Sequence, residues 1–148
     1  MNWRRGTVMG IVGIAVLAAG GYFGLQTIKR EQRAVDDGVV EFKNGNYASA
    51  VRMLAPYAER GNKTAEFNVG VAYAFGLGVS RDRERARGLL RDSLGSRAPE
   101  TYLWVAKSFE TGDGVTKDAK EAMAWYRIAA DDGSSKAREH LKSIGGST

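Results

Sequence analysis

Residues Phe109 to Gly133 repeat, 36 positions later, a pattern that begins at Tyr73. Tyr73 stands where Phe109 does, Gly76 for Gly112, Gly78 for Gly114, Val79 for Val115, Asp82 for Asp118, Ala86 for Ala122 and Arg91 for Arg127. A further 36 residues back, the second half is still legible: Asn46 at the cap, Ala50 at the small position, Leu54 under Leu90, and Gly61 in the place of Gly133. A period of this length signals a helical solenoid, in which each helix pair stacks on its neighbour because alone it cannot bury its apolar face.

Each position has a mechanical reason. The paired glycines supply the positive φ that ends one helix and turns the chain. Val79 and Val115 can then tuck under the turn. Asp82 and Asp118 are placed to accept from the free amides of the next helix, and Asp118 with Glu121 has the capping-box spacing. Ala86 and Ala122 sit where two helices pass closely, while Ala122, Trp125, Tyr126 and Ala129 share one helix face. The spacing predicts helices at about 47–59, 63–75, 83–95, 99–111, 119–131 and 135–143. Ahead of them, Lys29 to Lys43 carries Ala34, Val35, Val39 and Phe42 at helical spacing, interrupted by Gly38, and reads as the first helix of an incomplete leading repeat. The fold class is all-α: a short α/α solenoid after one N-terminal apolar helix.

The combination Ala65-Glu-Phe-Asn-Val-Gly-Val-Ala-Tyr73, then Gly76-x-Gly78-Val79-x-x-Asp82, then Ala122-x-x-Trp125-Tyr126-x-x-Ala129-Ala130-x-x-Gly133 resembles the Sel-like repeat (SLR) family, a branch of the tetratricopeptide-like α-solenoids. The likeness covers roughly residues 37–144. It departs at Leu89-Leu90, where the second repeat has Trp125-Tyr126, and at Val105-Ala106, where the first has Val69-Gly70. The resemblance implies scaffolding: binding of proteins or peptides in the assembly of complexes, often at bacterial membranes. It also implies that the first helix of each repeat lines a concave groove. Mapped here, that groove carries Phe67, Val71 and Phe75 from one repeat and Leu103, Lys107 and Glu110 from the next. Aromatic and aliphatic groups there suit anchoring of an apolar helix or peptide, and Lys107 and Glu110 suit setting its register. The competing use of Phe67 and Phe75 is packing against the leading helix.

The net charge of +5 suggests nucleic acid until it is divided along the chain. Four of the 22 basic side chains, Arg4, Arg5, Lys29 and Arg30, lie in residues 1–30 with no acid, leaving 18 basic against 17 acidic in the remainder. The repeats are nearly neutral, and the excess flanks an apolar segment, which points to lipid phosphates and not to nucleic acid. That segment, Thr7 to Ile28, has 22 residues without a charge, and as a helix spans about 33 Å, enough for a hydrocarbon core of roughly 30 Å. Trp3 and Tyr22 suit lipid interfaces. The chain therefore divides into a basic tail at 1–6, a transmembrane helix or uncleaved signal anchor at 7–28, a repeat domain at 31–144 and a disordered tail at 145–148. A cleaved secretory signal with Ala18-Ala19-Gly20 at its cleavage site is the alternative. The apolar run to Ile28 favours a retained anchor. Lys29, Arg30 and Arg33 balance Arg4 and Arg5, so charge does not set orientation. The short tail before the first apolar segment favours a cytoplasmic N-terminus and repeats in the periplasm of a bacterial inner-membrane protein. Gly6, Gly10, Gly13, Gly20 and Gly24 fall along one side of this helix and form a candidate face for docking another membrane helix.

The residues offer little to catalysis. There is no cysteine and one histidine, His140, among Arg138, Glu139 and Lys142, which reads as exposed helix surface. Asp36-Asp37 and Asp131-Asp132 read as solvation and capping near helix ends. The Gly-x-Gly loops lack the strand and Gly-Lys-Ser/Thr continuation that cradle phosphate. No cofactor, metal or small-molecule substrate is expected. Arg83, Arg87 and Arg91 share one helix face, a basic stripe that reads as solvated or as a surface for an acidic partner or lipid. The expected role is a non-catalytic, membrane-anchored adaptor for protein partners. The alternatives are an accessory subunit docked through its membrane helix and a secreted repeat-type hydrolase; the absence of cysteine argues against the last.

Overall fold

A computed structural model describes the backbone of residues 5–145 and the side chains of residues 23–145. Its helices are α1 (Arg5–Lys43), α2 (Tyr47–Ala58), α3 (Lys63–Phe75), α4 (Arg83–Leu94), α5 (Ala98–Thr111), α6 (Ala119–Asp131) and α7 (Ser135–Gly145), with one 3-10 turn at Gly95–Arg97 before α5. The six helices α2–α7 form a short solenoid, and α1 packs on its first members. The helix limits predicted from periodicity agree with these to within two residues.

The first helix departs from expectation. Gly38 does not break it, and α1 runs unbroken to Lys43. A Cβ at Gly38 would stand 2.7 Å from Leu54 Cδ2. The glycine there removes a side chain so that α2 can press on α1, an interior use of glycine that offsets its low helix propensity. Of the segment predicted to cross a membrane, residues 7–22 lie outside the described side chains, and with them Gly6, Gly10, Gly13 and Gly20. Among the described residues no helix is long and apolar enough to cross a membrane. Of the predicted tail, Gly145 closes α7 and residues 146–148 lie outside the described ones.

Both full repeats close the same way. Gly76 and Gly112 end α3 and α5 in the left-handed region, at φ 75° and 82°, and their amides bond Ala72 and Ser108 carbonyls at 2.8 Å. The returning chain is then tied back: the Asp82 amide donates to the Tyr73 carbonyl and the Asp118 amide to the Phe109 carbonyl, each at 3.0 Å. The same two aspartates cap the next helices, accepting from Arg85 and Glu121 amides at 3.0 Å. The Glu121 amide, and after it the Arg81 guanidinium, hold the Asp118 carboxyl below its usual pKa. This contribution is therefore intact at neutral pH and is lost as the pH falls through that lowered value. The capping box is not reciprocal, because the Glu121 carboxylate turns instead to Arg83.

Two apolar clusters share Phe42, Tyr73 and Leu77 at their boundary. The first joins α1, α2 and α3 through Val35, Val51, Leu54, Ala65, Val69 and Ala72. The second runs from α3 to α7 around Leu90, Tyr102, Phe109, Trp125 and Tyr126. Tyr102 and Trp125 rings lie 5.8 Å apart, and the Tyr102 hydroxyl donates to the Arg87 carbonyl at 2.8 Å. Burial, then the Asp132 charge, pushes the Tyr102 phenol up to about 12. Ala50, Ala86 and Ala122 are all buried, as the small position of the repeat requires.

The basic stripe has a structural use that its spacing did not reveal. Arg81 pairs with Asp118 at 3.3 Å, Arg83 lies 3.2 Å from Glu121, and Arg87 holds both carboxylate oxygens of Asp132. Three arginines of one repeat thus clasp three acids of the next. Arg91 is different, reaching only its neighbour Asp92 at 4.0 Å. The Asp132 hydrogen bond is the main cause of the raised Arg87 pKa, so Asp132 is an inter-repeat partner and not a solvated cap.

Two measurements check this frame. Gly78 and Gly114 both have positive φ, but a Cβ on Gly78 would meet the Ala48 amide nitrogen at 2.3 Å while one on Gly114 meets nothing within 4 Å. In denaturant melts Gly114→Ala is expected to cost about 1 kcal/mol of backbone strain, and Gly78→Ala about 3 kcal/mol or more because α2 must move as well. Equal losses would show that the first turn does not rest on α2. In a double-mutant cycle, Arg87→Ala with Asp132→Ala should show coupling of roughly 1–2 kcal/mol, as expected of a half-buried bidentate pair. The exposed Arg91–Asp92 pair should show close to none.

Candidate functional site

The outward face of α5 is set by the same packing. Tyr102, Leu103, Val105, Ala106 and Phe109 turn inward, leaving Trp104, Lys107 and Glu110 exposed on the other side of the helix. Trp104 keeps 47% of its surface in solvent. Its ring is held edge-on by Phe75 of α3, with centroids 5.1 Å apart, and Phe75 is backed in turn by Phe109 at 5.5 Å. An indole fixed in this way loses little side-chain entropy on contact with a partner, which is the property of a good anchor.

The predicted groove residues divide by burial. Lys107 and Glu110 are exposed. Phe67 and Phe75 are half-buried, packed on the larger cluster that also receives Phe42 of α1. Val71 and Leu103 keep only 7% and 5% of their surface, so they support the groove from beneath and do not line it. Trp104 was missed. The mapped groove positions include core residues, whereas an anchor stands beside the core; Trp104 lies one turn before Lys107, and that offset was the available signal.

Beyond Glu110 the face opens into a cavity of about 540 Å³ between α5, α6 and α7. Glu110, Lys117, Ala119, Ala122, Met123 and Tyr126 line it with His140 and Ile144. The Tyr126 hydroxyl donates to Glu110 Oε2, and the His140 ring stacks on Tyr126 with centroids 4.1 Å apart. His140 Nε2 lies 3.1 Å from Glu110 Oε1, close enough for an ion pair, although the ring N–H is not aligned for a hydrogen bond. Burial, and then the bond to Glu110, pushes the Tyr126 phenol well above its ordinary pKa, so it remains a donor. His140 is therefore a half-buried packing partner that fixes α7, and not the bare surface residue its charged neighbours suggested. Among the described residues no group of histidine and acidic side chains could hold a metal ion.

Of the residues on the other candidate surfaces, Arg83 and Arg87 are engaged within the solenoid. Gly24 is the described member of the glycine face, and a Cβ there would meet nothing within 4 Å.

The Sel1 repeat model matches residues 63–91 and 99–134, which span α3–α4 and α5–α6 with their turns. A Sel1 repeat protein from Oxalobacter formigenes is 28% identical over 72% of this chain and 45% of its own, with a TM-score of 0.42. The c5321 protein, a protective antigen of uropathogenic Escherichia coli strains with an SLR fold, is 26% identical over 66% of this chain and 21% of its own, with a TM-score of 0.35. The chain thus spans less than half the length of either. Residues 63–91 and 99–134, which carry the doubled turn, cap and helix grammar, thus match the Sel1 repeat within a short α-solenoid.

Proposed function

We propose that this chain is a non-catalytic adaptor, tethered to a membrane by the N-terminal part of α1, that holds a protein partner on the outward face of α5. The observation that carries the reading is Trp104, a large ring left in solvent but braced by Phe75, with Lys107 and Glu110 beside it. A rigid aromatic anchor flanked by opposite charges suits a helix or extended peptide whose apolar side chain covers the indole. Sel1 repeats suggest protein–protein interaction in general, and the geometry of α5 supplies a place for it.

The tether rests on the 22 uncharged residues from Thr7 to Ile28 and on a continuous helix from Arg5 into the solenoid. Phe23, Leu25 and Ile28 are exposed along it, while Val35 is fully buried. The repeats would then begin within about two turns of the lipid surface. In this reading the protein is a single-pass inner-membrane protein of a bacterium, with its repeats in the periplasm. Its glycine face at positions 6, 10, 13, 20 and 24 is available to dock a partner's membrane helix.

Two outcomes are expected. Trp104→Ala should release partners that co-purify with the wild-type chain in mild detergent, weakening capture by tenfold or more, while moving the melting temperature by no more than about 4 °C. Retention of every partner by this variant, with loss on a bulky change at Gly13, would move the interaction to the membrane helix. The wild-type chain should remain in the membrane fraction after alkaline carbonate. Val16→Arg should be released in part, because a central arginine disfavours insertion by about 3 kcal/mol. A wild-type chain that washes off would remove the tether.

A further inference from the structure

Two surface features meet on the described part of α1. Phe23, Leu25 and Ile28 are more exposed than any other large apolar side chain among the described residues. Directly after them Lys29, Arg30 and Arg33 are exposed as well. None of these three side chains has a hydrogen bond or a carboxylate within ion-pair distance among the described residues. At 3.6 residues per turn they fall within a sector of about 100°. The opposite side of the helix holds Val35 and Gly38, both buried, with Leu54 of α2 pressed on Gly38. The solenoid therefore turns the three cations outward.

The acids of the same stretch are placed otherwise. Glu31 lies on the solenoid side, where Arg60, 29 residues later in the turn after α2, holds it at 3.2 Å. Asp36 accepts from Gln32 at 2.9 Å, and with Asp37 it stands about one turn beyond Arg33. Measured along the helix from Ile28, Lys29 to Arg33 cover about 2–8 Å, and Asp36 and Asp37 lie at about 12–14 Å. The polar layer of a bilayer is roughly 5–8 Å deep on each side. On a tether that leaves the hydrocarbon at Ile28, the three unpaired cations fall inside that layer and the two aspartates beyond it. Glu31 also falls inside it, but its charge is already met by Arg60.

We propose that Lys29, Arg30 and Arg33 form a collar that binds anionic phospholipid headgroups and gathers them around the tether. The proposal rests on the tether reading and names the lipid that the tether selects. Charge complementarity carries it: a cation without a partner at headgroup depth is matched by a phosphodiester that brings no cation of its own, whereas a zwitterionic headgroup arrives with its own ammonium. The long stems of these side chains lie along apolar surface while their charged ends stay among the phosphates. Arg60 has a second part. By holding Glu31 it removes the one charge at this depth that would repel the lipid, and it brings the turn after α2 down to the same layer, so the first hairpin of the solenoid is seated on the headgroups.

Quenching by brominated lipid tests this in the full chain. The sequence has no cysteine, so Leu25→Cys, exposed one turn before Lys29, takes a single bimane label. The labelled chain is placed in phosphatidylcholine vesicles that contain, in separate samples, a minor share of phosphatidylglycerol or of phosphatidylcholine brominated in its acyl chains. Quenching then reports which lipid stands beside the collar, and soluble phosphate, which carries no bromine, does not score. Phosphatidylglycerol should quench as though enriched about fivefold over phosphatidylcholine, the worth of one basic side chain at an anionic surface. The enrichment should fall toward one in about 1 M salt, where screening is short. Lys29→Gln with Arg30→Gln and Arg33→Gln should abolish it. Arg60→Gln, which frees Glu31, should lower it roughly twofold, as expected on losing an exposed pair. Asp36→Asn with Asp37→Asn should leave it unchanged. Equal quenching by the two lipids would overturn the collar and leave the tether standing, whereas quenching by neither would overturn both. A preference that the triple variant keeps, or that the aspartate pair changes as strongly, would overturn the collar as well. Capture of partners through Trp104 is a separate readout, so the adaptor reading and the collar can fail independently.

Discussion

A single backbone bond recurs at the base of each hairpin, from the Asp82 amide to the Tyr73 carbonyl and from the Asp118 amide to the Phe109 carbonyl. It fixes where the chain re-enters after the turn, so it sets the angle at which the second helix returns along the first. The left-handed glycine before it makes the turn possible, and the aspartate whose amide donates is the residue whose carboxylate caps the returning helix. One residue therefore ends the loop and begins the helix. With the turn geometry fixed, the alanine at the small position lets the helices close, and the aromatic groups of α5 and α6 meet on the inside.

Stacking one hairpin on the next needs a second kind of contact, and here it is largely electrostatic at the edge and aromatic in the middle. Arg81, Arg83 and Arg87 reach Asp118, Glu121 and Asp132 across the junction, and Phe109 fills the space beneath Arg81. Exposed pairs such as Arg81–Asp118 add little each, but they define register, since a slipped stack would place like charges together. That register leaves Trp104 outside and opens the cavity beside Lys117. Both features of the candidate site follow from how one repeat sits on the next.

Much of this was legible in the sequence because the repeat writes each structural position twice. Gly76 and Gly112, Asp82 and Asp118, and Ala86 and Ala122 corroborate one another, and the helix limits followed from them. What stayed hidden was what depends on distance. Spacing showed that Arg83 and Arg87 share a face, but their acids lie in the next repeat, and no local pattern links them. Gly38 read as a break because composition cannot distinguish a broken helix from one approached closely by Leu54. Mapping the resemblance onto the first helices chose Val71 and Leu103, which are core, and passed over Trp104, whose value lies in being almost core. His140 looked exposed among charged neighbours, since nothing in its own helix announces the stack on Tyr126.

Hydrogen exchange at the Asp82 and Asp118 amides of the intact chain tests the central dependence most directly. If these two bonds hold the hairpins, both loop amides should exchange only with global unfolding, at the free energy measured for core amides such as that of Trp125. Exchange of Asp82 and Asp118 on the fast timescale of exposed loops, while Trp125 stays protected, would contradict it: the helices would then be stacked by their apolar faces alone, with the turns following.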